Sequence, residues 1–118
     1  GPELAPTQYS VLMHVFHEVG VRAVVATNTL PRPAPISTHL TAGIGGGGLH
    51  HHAVNAARWL MQAKHEHDYN VDVIGCGGVQ DATTFSTFMR QGVHVMQYWS
   101  ALIYRGPLAA ALILNEIE

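Results

Sequence analysis

Apolar and polar residues follow two different periods in the first part of the chain. In residues 9–19 the apolar side chains recur three or four positions apart, which predicts an amphipathic helix that ends at Gly20. Residues 21–27 are instead a short run rich in valine, which predicts a buried strand. The segment Asn28-Thr29 follows and ends this strand.

The same two patterns repeat in the second half of the chain. Residues 71–78 and 93–99 are short apolar runs, and they predict two further strands. Asp81 precedes one of the helical patterns and is a good N-cap residue. Three further helices are predicted, at about residues 53–64, 82–91 and 108–117.

Residues 30–49 fit neither period. Prolines stand at positions 31, 33 and 35, and glycines at positions 43 and 45–48. Since both residue types interrupt regular structure, the segment is predicted to be a long, irregular loop rich in Pro and Gly. A loop of this length in a compact domain is usually functional or mobile.

The predicted helices and strands alternate along the whole chain. This order is typical of an α/β fold with parallel strands and right-handed crossover helices. Three strands cannot close a TIM barrel, which has eight. Residues 1–118 therefore form either a small open sheet or a single unit that is part of a barrel.

Composition narrows the range of partners. Charged residues make up 12% of the 118 residues, about half the usual share, and we expect other protein subunits to cover part of the surface. The net charge is −2 and no basic stripe is present, which argues against nucleic acid. No apolar run approaches the ~20 residues of a membrane span.

Four motifs in order resemble the C-terminal half of dihydroorotate dehydrogenases, with the membrane-linked class 2 branch nearest. Each motif lies at the end of a predicted strand or at the start of the segment that follows it. They are Val24-Val25-Ala26-Thr27-Asn28-Thr29, Gly47-Gly48-Leu49, Ile74-Gly75-Cys76-Gly77-Gly78-Val79 and the segment from Met96 to Pro107. The resemblance implies strands six to eight of a TIM barrel, with their helices, from an FMN-dependent oxidoreductase of pyrimidine biosynthesis.

The resemblance also implies roles for individual residues. Asn28 and Thr29 would contact the substrate, orotate or dihydroorotate. The residues that would contact FMN are Thr29, Gly48, Gly77, Gly78, Trp99 and Ser100. In TIM barrels the loops after strands seven and eight commonly hold phosphate, although Gly77-Gly78 is also the sequence of a simple tight turn.

Two departures argue against activity. The family's catalytic base and its flavin-contacting lysine would precede Gly1, so no catalytic residue is predicted here. His50-His51 stands where the family has Ser-Gly, and we expect these side chains to crowd the phosphate and impair FMN binding. Trp99 replaces a tyrosine and adds bulk. Cys76 lies inside a predicted strand, where a core role is expected.

The chain contains nine histidines. His50-His51-His52 with His65 and His67 could meet at a metal ion such as Zn²⁺. No accompanying carboxylate pattern is visible, so solvated or interface histidines are expected and no metal site is predicted.

Three functional hypotheses follow. The favoured one is a non-catalytic accessory or structural subunit of a larger complex, associated with the mitochondrial inner membrane by analogy with the family. The second is one part of a split, FMN-dependent enzyme that requires the missing N-terminal half. The third is an ordinary full-length enzyme of which these residues are one part.

Overall fold

The structure of the protein, a computed structural model, describes residues 1–117. These residues form five helices and five strands. The helices are α1 (Pro6–Glu18), α2 (Gly47–His67), α3 (Ala82–Met89), α4 (Ser100–Arg105) and α5 (Ala109–Asn115). The strands are β1 (Ala23–Ala26), β2 (Leu30–Ala34), β3 (Ser37–Ile44), β4 (Asp72–Cys76) and β5 (Val95–Gln97).

Three of the strands form a parallel sheet in the order β1-β4-β5. Ala23 pairs with Asp72 at one end of the β1–β4 ladder, and Ile74 pairs with Val95 on the other side of β4. The connection from β1 to β4 contains β2, β3 and helix α2, and α3 connects β4 to β5. The predicted three-stranded parallel α/β arrangement is confirmed.

The core lies between this sheet and helices α1, α2 and α3. Phe88 of α3 is fully buried and lies against β4, where a Cβ built on Gly75 would come within 2.8 Å of the Phe88 ring. Ala53, Ala56 and Ala57 form the buried face of α2. Because these side chains are small, α2 can approach the sheet closely.

The two outer strands are exposed at positions that the sequence predicted to be buried. Val25 of β1 is 51% exposed and Val95 of β5 is 59% exposed, whereas Val73 of the central strand is 6% exposed. The prediction of a buried strand at residues 21–27 was therefore wrong for most of β1. The valine pattern is typical of a strand that is buried in the middle of a sheet. Of the three strands in the sheet that residues 1–117 form, only β4 lies between two others.

The predicted irregular loop at residues 30–49 is instead a β-hairpin followed by the start of a helix. Strands β2 and β3 pair antiparallel through a two-residue turn, and α2 begins at Gly47 rather than near residue 53. Pro31 and Pro33 are compatible with β2 because this strand has a partner on one side only, where a missing N–H can face solvent. Arg32 forms a two-pronged ion pair with Glu3, at 2.8 and 3.0 Å, that ties the hairpin to the N-terminal segment.

The remaining differences concern helix and strand ends. The third predicted strand is shorter than expected, because the chain turns into the unpredicted helix α4 directly after it. The Asp81 N-cap is confirmed, since its carboxylate accepts a hydrogen bond of 2.8 Å from the Thr84 N–H. None of the helices found in residues 1–117 combines the length and apolar character needed to cross a membrane.

Candidate functional site

The carboxyl ends of the three parallel strands surround one cleft. Its volume is about 270 Å³, slightly below the range of roughly 300–1,000 Å³ that is typical of small-molecule sites. The lining comes from the segments after β1, β3, β4 and β5. The lining residues are Thr27, Asn28, Thr29, Gly45, Gly46, Leu49, Cys76, Gly77, Gly78, Val79, Tyr98, Trp99 and Ser100.

The segment after β1 carries the polar side chains on one wall. Thr27 is buried, and its hydroxyl donates to the Asn28 carbonyl oxygen at 2.8 Å. The Asn28 Oδ1 atom accepts from the Thr29 N–H at 2.8 Å. Since Oδ1 is used locally, the Nδ2 group of Asn28 is the part of this side chain that offers donors to a ligand.

Glycines allow three segments to meet on the opposite wall. Gly78 has φ of +69°, and a Cβ on it would lie 2.5 Å from the Gly46 carbonyl oxygen. A Cβ on Gly46 would lie 3.0 Å from the Ser100 Oγ atom. No larger residue fits at Gly78 without movement of the backbone. The segments before α2, after β4 and after β5 are therefore in direct contact beside the cleft.

Two of these segments present backbone donors. The first N–H groups of a helix have no intrahelical acceptor and carry a partial positive charge, and α2 begins directly after Gly46. The glycine-rich turn at Gly77-Gly78 has positive φ at both residues, a geometry that is common in anion-binding loops. The arrangement can accept a phosphate or carboxylate group.

His50 does not crowd the cleft as the sequence predicted. Its ring is directed toward α3, with Nδ1 2.9 Å from the Gly77 carbonyl oxygen and Nε2 2.7 Å from the Thr87 Oγ1 atom. The ring also packs edge to face on Phe88, with 5.5 Å between centroids. The imidazole therefore supports the Gly77-Gly78 turn from behind.

Most of the predicted ligand-contacting residues come together. Gly48 does not line the cleft with them, because it lies in the first turn of α2 against the Ile44 side chain. Gly46 takes the position expected for it. Trp99 lies at the mouth of the cleft and is 73% exposed. The predicted residues that share the cleft are Asn28, Thr29, Gly77, Gly78, Trp99 and Ser100.

Several lining residues were not singled out from the sequence, namely Thr27, Gly45, Gly46 and Tyr98. Thr27 and Tyr98 follow β1 and β5, so the rule that ligands bind at the carboxyl ends of parallel strands would have found them. Gly45 and Gly46 follow β3 of the separate antiparallel hairpin, which that rule does not cover. Cys76 was assigned to the core and instead borders the cleft, half-buried. Burial raises the pKa of its thiol, which favours the neutral form.

The histidines do not form a common cluster. His50 and His67 lie near opposite ends of α2, about 25 Å apart along its axis. The rings of His14, His17 and His67 instead surround Tyr69, with centroid distances of 5.9, 5.1 and 5.2 Å. Residues 1–117 contain no group of three or more His, Cys, Asp or Glu side chains arranged to hold a metal ion.

Comparisons with family models and with individual proteins indicate the same family. The family model described as dihydroorotate dehydrogenase matches residues 1–118. A dihydroorotate dehydrogenase (quinone) of Neisseria meningitidis serogroup C is 32% identical over 108 residues, which cover 90% of this chain and 32% of that protein. A mitochondrial dihydroorotate dehydrogenase (quinone) of Eremothecium gossypii is 25% identical over 123 residues, covering 98% of this chain and 27% of that protein.

Solved structures agree on the fold. A crystal structure of DHODH from Eimeria tenella in complex with ferulenol superposes with a TM-score of 0.83 at 22% identity, covering 99% of this chain and 31% of that chain. The ligand-free form of the same enzyme gives the same TM-score. The predicted partial-barrel fold is confirmed. The chain spans about one third of the length of the relatives it matches.

Proposed function

Because this chain belongs to the dihydroorotate dehydrogenase family, we propose that it forms the phosphate end of an FMN site in an enzyme that oxidises dihydroorotate to orotate. The family implies a flavin cofactor, an oxidoreductase reaction and a place in pyrimidine biosynthesis. The observation that carries the proposal is the convergence of Asn28, Gly77, Gly78 and Ser100 on one cleft at the carboxyl ends of the parallel strands.

The size of the cleft suits one end of an FMN molecule better than the whole molecule. Its backbone donors and glycines suit a phosphate group, and its volume of about 270 Å³ is small for a complete FMN molecule. In this proposal Gly46, Gly77, Gly78 and Ser100 surround the phosphate. When bound, FMN supplies the hydride acceptor of the family's reaction. Strands outside these 118 residues complete the pocket around the ring.

Asn28 and Thr29 belong to the substrate side of the proposal. The Asn28 amide offers N–H donors next to the cleft, and such donors suit the carboxylate of orotate or dihydroorotate. Abstraction of a proton from dihydroorotate requires a positioned base. Cys76 is a poor candidate for it, because burial keeps its thiol protonated. We propose that the base comes from the part of the barrel that these residues do not include.

The experiment is flavin binding by the purified protein. We expect FMN to co-purify, and riboflavin, which lacks the phosphate, to bind more weakly. Ser100→Ala should weaken FMN binding by about fivefold to tenfold, since one hydrogen bond is removed, and should leave riboflavin binding unchanged. Ser10→Ala on α1 is the matched control. Equal affinity for FMN and riboflavin would overturn the assignment of the phosphate end.

A second candidate function is a non-catalytic accessory subunit of a larger complex. The observation that favours it is the set of large apolar side chains on the surface, among them Ile103, Tyr104 and Leu108 of the C-terminal helical segment. Large contiguous patches of such side chains usually mark an interaction site. A mitochondrial relative is known, so a complex at the mitochondrial inner membrane is the proposed host.

The two candidates predict different purified species. The accessory subunit would be isolated with unrelated subunits packed against β1 or β5, and without flavin. The flavin-binding part of an enzyme would be isolated with polypeptide that supplies the other barrel strands, and with FMN. Mass spectrometry of the isolated complex, together with its visible absorbance, separates these outcomes.

A further inference from the structure

Gln80 lies two residues after the Gly77-Gly78 turn, and both polar groups of its backbone are held by hydrogen bonds. Its N–H donates to the Thr84 hydroxyl oxygen at 2.8 Å. Its carbonyl oxygen accepts from the Arg105 guanidinium at 2.7 Å. Helices α3 and α4 therefore fix the point from which the Gln80 side chain extends.

The side-chain amide of Gln80 lies at the start of α2. A Cβ built on Gly46 would lie 3.4 Å from the Gln80 Nε2 atom, and one built on Gly47 would lie 3.7 Å from it. The same position on Gly46 is 3.0 Å from the Ser100 Oγ atom. The Gln80 nitrogen and the Ser100 oxygen are therefore at most 6.4 Å apart, the sum of 3.4 and 3.0 Å.

This separation suits two groups that bind one anion. Two donors that share a single acceptor atom lie within about 6 Å of each other, and a phosphate group offers several oxygens. Gly46 and Ser100 both line the cleft. A side chain at position 46 would occupy the space next to both donors, so the glycine keeps that space open.

The Gln80 amide is available to a ligand. Within residues 1–117 it makes no hydrogen bond to another residue, and no buried side-chain nitrogen or oxygen in this part of the chain lacks a partner. The amide of this half-buried residue is therefore accessible to solvent. Because neither of its ends is held, the amide can turn its two N–H donors toward an acceptor.

Neutral donors have to supply the binding of an anion in this cleft. Its lining within residues 1–117 contains no Lys, Arg or His side chain. The Arg105 guanidinium contacts the Gln80 carbonyl oxygen, but it is paired with Glu116 and does not line the cleft. A hydrogen bond from a neutral donor to a charged acceptor is stronger than one between neutral groups. One added side-chain amide therefore changes the affinity for a phosphate measurably.

We propose that Gln80 is a further binding residue of the phosphate site, donating from its side-chain amide to a phosphate monoester that Ser100 also contacts. The proposal rests on the proposed FMN site. It makes Gln80 a specificity-determining residue, because its amide raises the affinity for FMN and leaves the affinity for riboflavin unchanged.

The test compares FMN and riboflavin affinities of the purified wild-type protein and two Gln80 variants. Gln80→Ala removes the donor and should weaken FMN binding about tenfold. Gln80→Glu keeps the size of the side chain and replaces the donor with a carboxylate, so FMN binding should weaken about a hundredfold. Riboflavin affinity should stay at the wild-type value in both variants, which also shows that they are folded.

Gln91→Glu is the matched control. It makes the same change at a half-buried residue that follows the other end of α3, and its FMN affinity should equal that of the wild type. If Gln80→Glu weakens FMN binding no more than Gln91→Glu does, the role of Gln80 is wrong and the flavin site stands. Equal losses of FMN and riboflavin affinity in Gln80→Glu would also overturn the role, because Gln80 would then support the shape of the cleft.

Inorganic phosphate separates this inference from the proposed function. A ligand that binds the folded state raises the melting temperature, so phosphate should raise it more in the wild type than in Gln80→Glu, with sodium chloride of equal ionic strength as the reference. If this difference is found and FMN does not bind, the flavin proposal fails and Gln80 remains a phosphate-binding residue. An equal effect of phosphate on both proteins, or no effect on either, would overturn the role of Gln80.

Discussion

Two connections leave the same end of the parallel sheet and differ in almost every physical respect. The turn after β4, Gly77-Gly78, is buried and lies within contact distance of Gly46, Leu49 and His50. The hairpin after β1 consists of strands β2 and β3, which pair with no other strand of residues 1–117. Strand β3 is exposed along nearly its whole length. Both connections are rich in residues that interrupt regular structure.

The difference shows what makes such a connection rigid. The turn is held by contacts to neighbouring elements, which include the His50 ring and the Gly46 carbonyl. The hairpin is anchored in the core by Leu30 at its base. The rest is held by its own backbone ladder and by the exposed Arg32–Glu3 ion pair, and exposed pairs contribute little. We therefore expect substitutions in the turn to affect stability and binding, and substitutions in the hairpin to be tolerated.

The largest effect is expected for Gly78→Ala. The new Cβ would lie 2.5 Å from the Gly46 carbonyl oxygen, at a φ of +69° that L-residues rarely adopt. We expect a loss of about 2 kcal/mol in the free energy of unfolding, measured by urea denaturation. Gly45→Ala is the matched control, because a Cβ there meets no atom within 4 Å. Equal stability of the two variants would show that the close contacts of the turn do not determine its sensitivity to substitution.

A smaller effect is expected for Asp81, which begins α3 directly after the turn. Replacing this N-cap with alanine should cost about 1 kcal/mol at neutral pH. Hydrogen bonds from the Thr84 N–H and hydroxyl hold the pKa of Asp81 below its usual value. Its stabilising contribution is therefore present above the unfolded-state pKa of about 3.9 and is lost as the pH falls through the lower folded value.

Asp81→Asn tests the sign of this effect. Asparagine also caps helices well but does not titrate, so the variant should lose less stability than the wild type between about pH 5 and about pH 2.5. Thermal denaturation across this range measures the difference. Parallel curves for the two proteins would show that the cap is independent of the Asp81 charge.

The smallest effect is expected in the hairpin. Leu40 of β3 is exposed, and Leu40→Ser should change the free energy of unfolding by less than about 0.5 kcal/mol. The FMN affinity of this variant should equal that of the wild type. A loss above about 1 kcal/mol would show that the Leu40 side chain is covered in the purified protein. The expected difference in stability between the hairpin and the turn would then be wrong.

Local signals in the sequence account for the parts of the structure that were predicted correctly. The three strands, their parallel arrangement and the Asp81 cap follow from apolar runs and from a short-range hydrogen bond. The hairpin was missed because Pro31 and Pro33 interrupt regular structure in most contexts, and only pairing on a single side makes them compatible with a strand.

The candidate site was predicted in its positions and less well in its orientations. Asn28, Gly77 and Ser100 share a cleft because parallel strands end at a common edge of the sheet. The direction of the His50 ring depends on Thr87 and Phe88, which lie 37 and 38 positions away along the chain. No local pattern at residues 50–51 contains that information.

The two open edges of the sheet restrict how a barrel can be completed. The described sheet contains three parallel strands and a TIM barrel contains eight, so eight less three leaves five to be supplied between β5 and β1. Copies of this chain would contribute strands in multiples of three, and no multiple of three equals eight. Three-stranded sheets alone therefore do not add up to the eight strands of a closed TIM barrel.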